Sequence, residues 1–316
     1  MRLGFARNLP ATGGIAALLI ALSSIAPAAA VPSCDPAAAQ STAWIGNGVL
    51  AGGKGYVATP MGQVHYRLIG PSGAPVILLL HQTPWSLIEF AGVQECLAAR
   101  NIRSLAVDTP GYGMSDPPAG APTIADYADN LIPVLDALKF ERVVVAGHHT
   151  GAAIAAALAA RHPDRVAGVI LHGTPLYTDA ERAQRLSAPE QSFELKPDGS
   201  HLSDYFRYIK PYAGGEPHAF VSTNWSVLNR YQAGVNDIAH IAVFRNDMAR
   251  DLAAIRVPVL VLSDALDSLH AMDLRAAKLY PAFRYRQFSD GTAHMMMGHP
   301  DLWAAMAADF MASVKR

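Results

Sequence analysis

Val143-Val-Val-Ala-Gly-His-His-Thr-Gly-Ala-Ala-Ile-Ala-Ala-Ala-Leu-Ala159 is the stretch on which the reading of this chain turns. Its β-branched start suits a strand buried on both faces of a parallel sheet. Its alanine-rich end favours helix. Between them stands Gly147-His148-His149-Thr150-Gly151, a Gly-x-X-x-Gly frame at a strand-to-helix turn. Such a turn brings strand and helix almost into contact, and the two glycines remove side chains that would collide there. The central residue is driven toward positive φ, with its side chain pointing out of the sheet. Serine, cysteine or aspartate is the usual occupant; here it is His149, a residue type that tolerates this backbone region comparatively well.

Outward from this turn, strand and helix patterns alternate. Gly55–Pro60 and Gln63–Ile69 read as two strands joined at Met61-Gly62. Pro75–Leu80 is a continuous apolar run suited to a central strand, ending in His81-Gln-Thr-Pro-Trp-Ser86. A helix over Leu87–Arg100, a strand over Ser104–Val107 and a helix over Ile124–Leu138 follow. Beyond the turn, Val166–Leu171 is another apolar strand. This order implies an α/β fold, a mostly parallel sheet covered by helices on both faces. It breaks after Pro175. Residues 176–256 hold few strand-like runs and many aromatics, which predicts an inserted, mainly helical cap. Strands resume at Val257–Leu262 and Phe283–Phe288, and a last helix runs over Asp301–Val314. The chain thus divides into 54–175, a first core segment; 176–256, the insertion; and 257–316, a second core segment.

The first thirty residues stand apart. Arg2 and Arg7 precede an uncharged apolar run over Gly13–Ile25, and Pro27-Ala-Ala-Ala30 offers small residues for cleavage. This is the pattern of a secretory signal peptide cut after Ala30, and it predicts a periplasmic or secreted protein. The apolar run is shorter than the roughly 20 residues of a membrane span, so no stable membrane insertion is expected after processing. Residues 31–53 read as a linker or loose arm. A formal net charge of −1 without a basic tract argues against a nucleic-acid partner. Cys34 and Cys96 have no metal spacing, and neither metal nor cofactor is expected. Export permits a disulfide, though a buried, apolar Cys96 is the simpler expectation. Composition is silent on oligomeric state.

Four motifs in order carry a resemblance to a known family. Asp108-Thr-Pro-Gly-Tyr-Gly-Met-Ser-Asp116 follows the Ser104–Val107 strand. The Gly147–Gly151 turn comes next. Asp267 lies five residues beyond the strand ending at Leu262, and His294 follows the last strand. Over residues 55–314 the chain resembles the α/β-hydrolase superfamily, in particular the capped branch with haloalkane dehalogenases, epoxide hydrolases and esterases. The resemblance implies a nucleophile–acid–histidine site at His149, Asp267 and His294, in the family's chain order. It also implies an oxyanion hole from the main-chain N–H groups of Thr83 and Thr150. Two positions depart from the family: His149 replaces the nucleophile, and Gln82 stands where His-Gly-x-Pro has glycine. Gln82 and Trp85 are candidate substrate contacts on that loop.

The occupant of the turn limits the chemistry. An acyl-imidazole is cleaved by water, whereas an alkylated imidazole is a dead end, so a small, largely apolar carbonyl substrate (ester, lactone or thioester) is expected. If His149 is an acid or base, it and His294 handle protons without a covalent step, by direct water attack or as a lyase. A third reading is an inactive hydrolase-shaped protein that binds a small ligand. Several neighbours have plainer expected roles. Asp264 caps a turn, His148 packs behind the elbow, His299 enters a helix and His81 is structural. Ser86 either caps a helix or lines the pocket.

Overall fold

The computed structural model describes residues 53–187, 194–212, 218–233, 238–288 and 295–314. The leader read at 1–30, most of the arm and His294 lie outside the described residues.

Eight strands form one sheet in the order β1-β2-β4-β3-β5-β6-β7-β8. The hairpin of β1 (Gly53–Thr59) and β2 (Gly62–Ile69) is antiparallel, and β2 also runs antiparallel to β4 (Arg103–Val107). All later neighbours are parallel: β4 with β3 (Val76–Leu80), β3 with β5 (Val143–His148), then β6 (Val166–His172), β7 (Val259–Asp264) and β8 (Arg284–Phe288). β1 starts at Gly53, inside the segment read as arm. Every residue of β5 is buried, as its unbroken apolar run requires.

Side-chain alternation along the strands divides the core in two. On one face Leu78, Val143, Val145, Val169 and Val261 pack with Ala152–Ala159 of helix α4 (Thr150–Arg161) and with Tyr127 of helix α2 (Ile124–Asp129). On the other, Ile77, Leu79, Val144, Ile170 and Leu262 pack with Leu97 of helix α1 (Ala91–Ala99) and with Trp303 and Phe310 of helix α12 (Pro300–Ser313). Alanines in α4 let that helix lie close against the sheet. Cys96 is buried in α1, as expected for an apolar site, but it is disulfide-bonded rather than a free thiol. The sequence holds one other cysteine, Cys34, outside the described residues.

Two predicted helices differ in detail. Leu87–Arg100 is a 3-10 turn over Leu87–Phe90 followed by α1. Ile124–Leu138 is divided at Asn130 into α2 and α3 (Leu131–Ala137). Pro133 explains the second break, because it has no N–H for the carbonyl four residues earlier.

Among the described residues, five α-helices stand between β6 and β7: α5 (Asp179–Ser187), α6 (Ser200–Ile209), α7 (His218–Gln232), α8 (Ile238–Arg245) and α9 (Met248–Ala254). The described part of this segment is helical. It is tied to the loop after β4, where the Ala239 N–H donates to Tyr112 Oη at 3.1 Å and the Gln232 amide donates to the Gly113 carbonyl. After β7 come α10 (His270–Leu279), then β8, α11 (Met295–Gly298) and α12.

Candidate active site

The turn after β5 is as tight as its glycines predict. A Cβ on Gly147 would lie 2.0 Å from the Gly151 carbonyl oxygen, and one on Gly151 would lie 2.0 Å from that of Leu80. His149 stands between them at φ 48 and ψ −110. A non-glycine residue there carries strain of about 1–3 kcal/mol, which persists only where the surrounding fold enforces it. Enforcement is visible: the His149 N–H donates to the His172 carbonyl at 2.9 Å, and its own carbonyl accepts from Ala152 and Ala153 at the start of α4.

The imidazole of His149 reaches across the strand ends to Asp267. Its Nε2 lies 2.9 Å from Oδ1 and 2.8 Å from Oδ2. Gly173, at φ 60, clears the way, since a Cβ there would come within 2.2 Å of His149 Cδ2. Asp267 Oδ1 also accepts from the Leu269 N–H at 2.6 Å. Asp267 is therefore bonded to His149, and His294, with which the resemblance would pair it, lies outside the described residues. Burial alone would raise the Asp267 carboxyl, but the hydrogen bonds and charge of His149 and His148 hold it well below the usual carboxylate range. Nε2 faces this ionised carboxylate, so it carries the ring proton. The lone pair of the neutral ring then sits on Nδ1, which has no partner among the described residues. Burial pushes His149 below its ordinary value of 6.5, and the charge on His148 adds to this against the pull of Asp267.

Behind His149 lies a second layer. The His148 ring is centred 4.2 Å from that of His149. His148 Nδ1 lies 2.8 Å from Glu89 Oε1, and Nε2 lies 3.4 Å from Asp267 Oδ2. Burial would strip its proton, yet Glu89 and Asp267 override burial and push His148 up to about 10. Glu89, also buried, is brought down to about 2 against its own desolvation, chiefly by His148. His172 completes the stack, 4.9 Å from His148, with Trp303 Nε1–H donating to its Nδ1 at 3.3 Å. Burial and the charge on His148 push His172 down to about 3, so it is neutral.

His148, His172 and Asp267 have ligand atoms within 4.8 Å of one another. The set fits a metal poorly. Trp303 donates to Nδ1 of His172, which leaves the proton on Nε2, where a metal needs a lone pair. His148, between two carboxylates, has both nitrogens protonated.

The remaining candidates divide by position. Thr83 and Thr150 meet through their hydroxyls at 2.8 Å, joining the loop after β3 to the start of α4. Among the described residues neither main-chain N–H is taken by an internal hydrogen bond. Gln82 is tied to Glu89: its N–H donates to Oε2 at 3.0 Å and its side-chain amide to Oε1 at 2.9 Å. Trp85 is buried, 3% exposed. His81 accepts the Thr109 N–H on Nε2 at 2.9 Å and approaches the Gln82 carbonyl through Nδ1 at 2.6 Å, bracing two loops. Ser86 precedes the 3-10 turn but makes no side-chain cap; Asp108 accepts the Leu87 N–H at 2.7 Å instead. Asp264 accepts the Leu266 N–H at 3.0 Å, a turn cap. His299 stands at the entry of α12. Sequence reasoning missed Glu89 and His172. Glu89 falls on the first turn after the His81–Ser86 loop, and a carboxylate where a buried helix start is expected is the signal that points to it.

Residues 75–269, more than half of the chain, match the alpha/beta hydrolase fold model. The chain belongs to the α/β-hydrolase family, and its class is that of a hydrolase of this fold. A bifunctional esterase/perhydrolase of Acinetobacter calcoaceticus is 28% identical over 238 residues, 71% of this chain and 86% of that protein. Epoxide hydrolase B of Mycobacterium tuberculosis is 36% identical over 131 residues, 40% of this chain and 36% of that protein. Among solved structures, a putative aryl esterase of Burkholderia cenocepacia superposes with a TM-score of 0.68 at 19% identity, covering 82% of this chain and 98% of that one.

Proposed function

We propose that this chain is an exported hydrolase of a small, largely apolar ester, lactone or thioester, and that His149 Nδ1 is its general base. One observation carries the reading: His149 Nε2 lies against both oxygens of the Asp267 carboxylate at 2.8 and 2.9 Å. That contact fixes tautomer and ring orientation, which is what a carboxylate does for a catalytic imidazole. The elbow therefore holds a base where the family holds a nucleophile. Water gives a proton to Nδ1 as its oxygen adds to the carbonyl carbon. The N–H groups of Thr83 and Thr150 receive the oxyanion. The tetrahedral intermediate then collapses, the bond to the leaving group breaks, and the departing oxygen or sulfur takes the proton back from Nδ1. His294, read from the sequence as an imidazole after β8, is a second proton donor to the leaving group. The helical insertion caps this edge and supplies the apolar walls.

Turnover of p-nitrophenyl acetate by the purified protein tests the reading. The wild type hydrolyses it without a pre-steady-state burst, because no acyl-enzyme accumulates. Asp267→Asn lowers kcat by about 10²–10⁴-fold, the usual worth of a positioned general base. A stoichiometric burst identifies His149 as a covalent nucleophile instead; wild-type rates in Asp267→Asn reject the dyad.

Export rests on the basic start, the apolar run and Ala30, and the disulfide bond at Cys96 suits an oxidising compartment. N-terminal sequencing of protein from periplasm or medium is expected to begin at Val31; an intact Met1 on the mature protein counts against it.

A further inference from the structure

The two departures from the family, His149 and Gln82, are the ends of one hydrogen-bonded chain. Gln82 donates twice to Glu89, Glu89 faces His148 Nδ1, His148 Nε2 faces Asp267, and Asp267 holds His149. Both nitrogens of His148 confront carboxylates. A neutral ring would set a lone pair against one of them, so this geometry requires the imidazolium. Both partners are buried, with side chains 1% exposed, so water screens the pair little.

We propose that His148, clamped between Glu89 and Asp267, is a positioning residue that cancels the charge of Asp267 and so keeps His149 a free base in acid. Alone, a carboxylate 2.8 Å from an imidazole favours its protonation, and a protonated His149 neither accepts a proton nor attacks. The imidazolium, with ring centres 4.2 Å apart, opposes that protonation. Three other titratable groups surround this centre among the described residues. His172 on β6 is neutral. Asp273 on α10, pushed up to about 7 by burial, accepts the Thr174 N–H at 2.7 Å. Tyr177, at the start of the insertion, is a neutral phenol raised by burial. Glu89 pulls the opposite way to His148 but stands on its far side, so the nearer imidazolium prevails. Gln82 belongs to the same device: an amide, unlike glycine, holds Glu89 ionised and aimed at His148.

This inference rests on the general-base reading of His149, yet its test also has a readout without substrate. The full-length protein, labelled at histidine Cε1, is titrated by NMR as wild type and as Glu89→Gln/His148→Gln. The double variant exchanges a buried ion pair for two amides that can bond each other. Expected in the wild type is a His148 signal that stays protonated through pH 8 and a His149 midpoint below 6.5. In the double variant the His149 midpoint rises by about 1–3 units, the usual effect of a charge at this range. The acid limb of kcat/KM for p-nitrophenyl acetate moves to higher pH by the same amount. His148→Gln alone is the second variant and shifts in the same direction. A His149 midpoint unchanged in both variants, or a His148 that titrates as an ordinary imidazole, overturns the proposal. If the midpoint shifts but no ester is turned over, the hydrolytic reading fails and the electrostatic one stands. Turnover without a shift supports hydrolysis and overturns the electrostatic role of His148.

Discussion

His149→Ala is expected to abolish ester hydrolysis while the fold persists. On the general-base proposal its ring takes the proton from water, and a positioned base is worth about 10²–10⁴-fold in rate. The loss falls on kcat, because Nδ1 acts on water rather than on the bound ester. Alanine also relieves little of the turn: Gly147 and Gly151 still set its geometry, and the amide of residue 149 still bonds the His172 carbonyl. The thermal midpoint is therefore expected to stay near that of the wild type. Removing the ring leaves an imidazole-shaped space bounded by Gly173 and Asp267, so added imidazole is expected to restore part of the rate. Rescue marks a lost base; a merely structural residue gives none. His149→Ser puts the ordinary family nucleophile on the elbow, but its hydroxyl cannot bridge to Asp267 as the ring does. It is expected to resemble alanine unless His294 takes up the carboxylate. Full activity in His149→Ala moves the chemistry off the elbow, with His294 the next group to replace.

The same residues show why the sequence is informative in parts. The β-branched run at Val143, the glycine frame and the alternation around it dictate strand, turn and helix locally, so the sheet is legible from neighbours in the chain. His149 at positive φ follows from the same local rule. Asp267 is legible as a residue just past a strand end, where side chains of several strands converge. Its partner is not, because reach and ring orientation depend on Gly173, just past another strand, being free of a side chain. Glu89 and His148 illustrate the harder case. One is the third residue of a 3-10 turn and the other the last of a buried strand. Their contact spans 59 positions in sequence and is created by packing alone. The break of α2 from α3 at Asn130 is legible in principle from Pro133, since a missing N–H is a local property.

Glu89→Ala is expected to destabilise the protein severely, by about 3–5 kcal/mol, the usual result of removing one member of a buried ion pair. His148 then faces a void on one side, and Gln82 loses an acceptor for two N–H groups. Glu89→Gln/His148→Gln is expected to cost much less, because both charges leave together. The pH dependence of the difference identifies the pair. Glu89 sits at about 2 in the fold against an ordinary 4.5, so its contribution is complete above 4.5 and is lost as pH falls through 2. His148 sits at about 10 against an ordinary 6.5, so its contribution is complete below 6.5 and is lost as pH rises through 10. Both are complete together only between pH 4.5 and 6.5. His172 remains buried and neutral in wild type and double variant alike, so the penalty for charging it largely cancels in the comparison. Urea unfolding of the two proteins across pH therefore has an expected shape: the Glu89–His148 contribution to the stability difference is most favourable to the wild type from pH 4.5 to 6.5 and shifts against it on either side. The raised His149 midpoint of the double variant adds a further shift against the wild type on the acid side. A difference independent of pH would mean that Glu89 and His148 meet in the fold as neutral groups, and the imidazolium beneath the elbow would have to be given up.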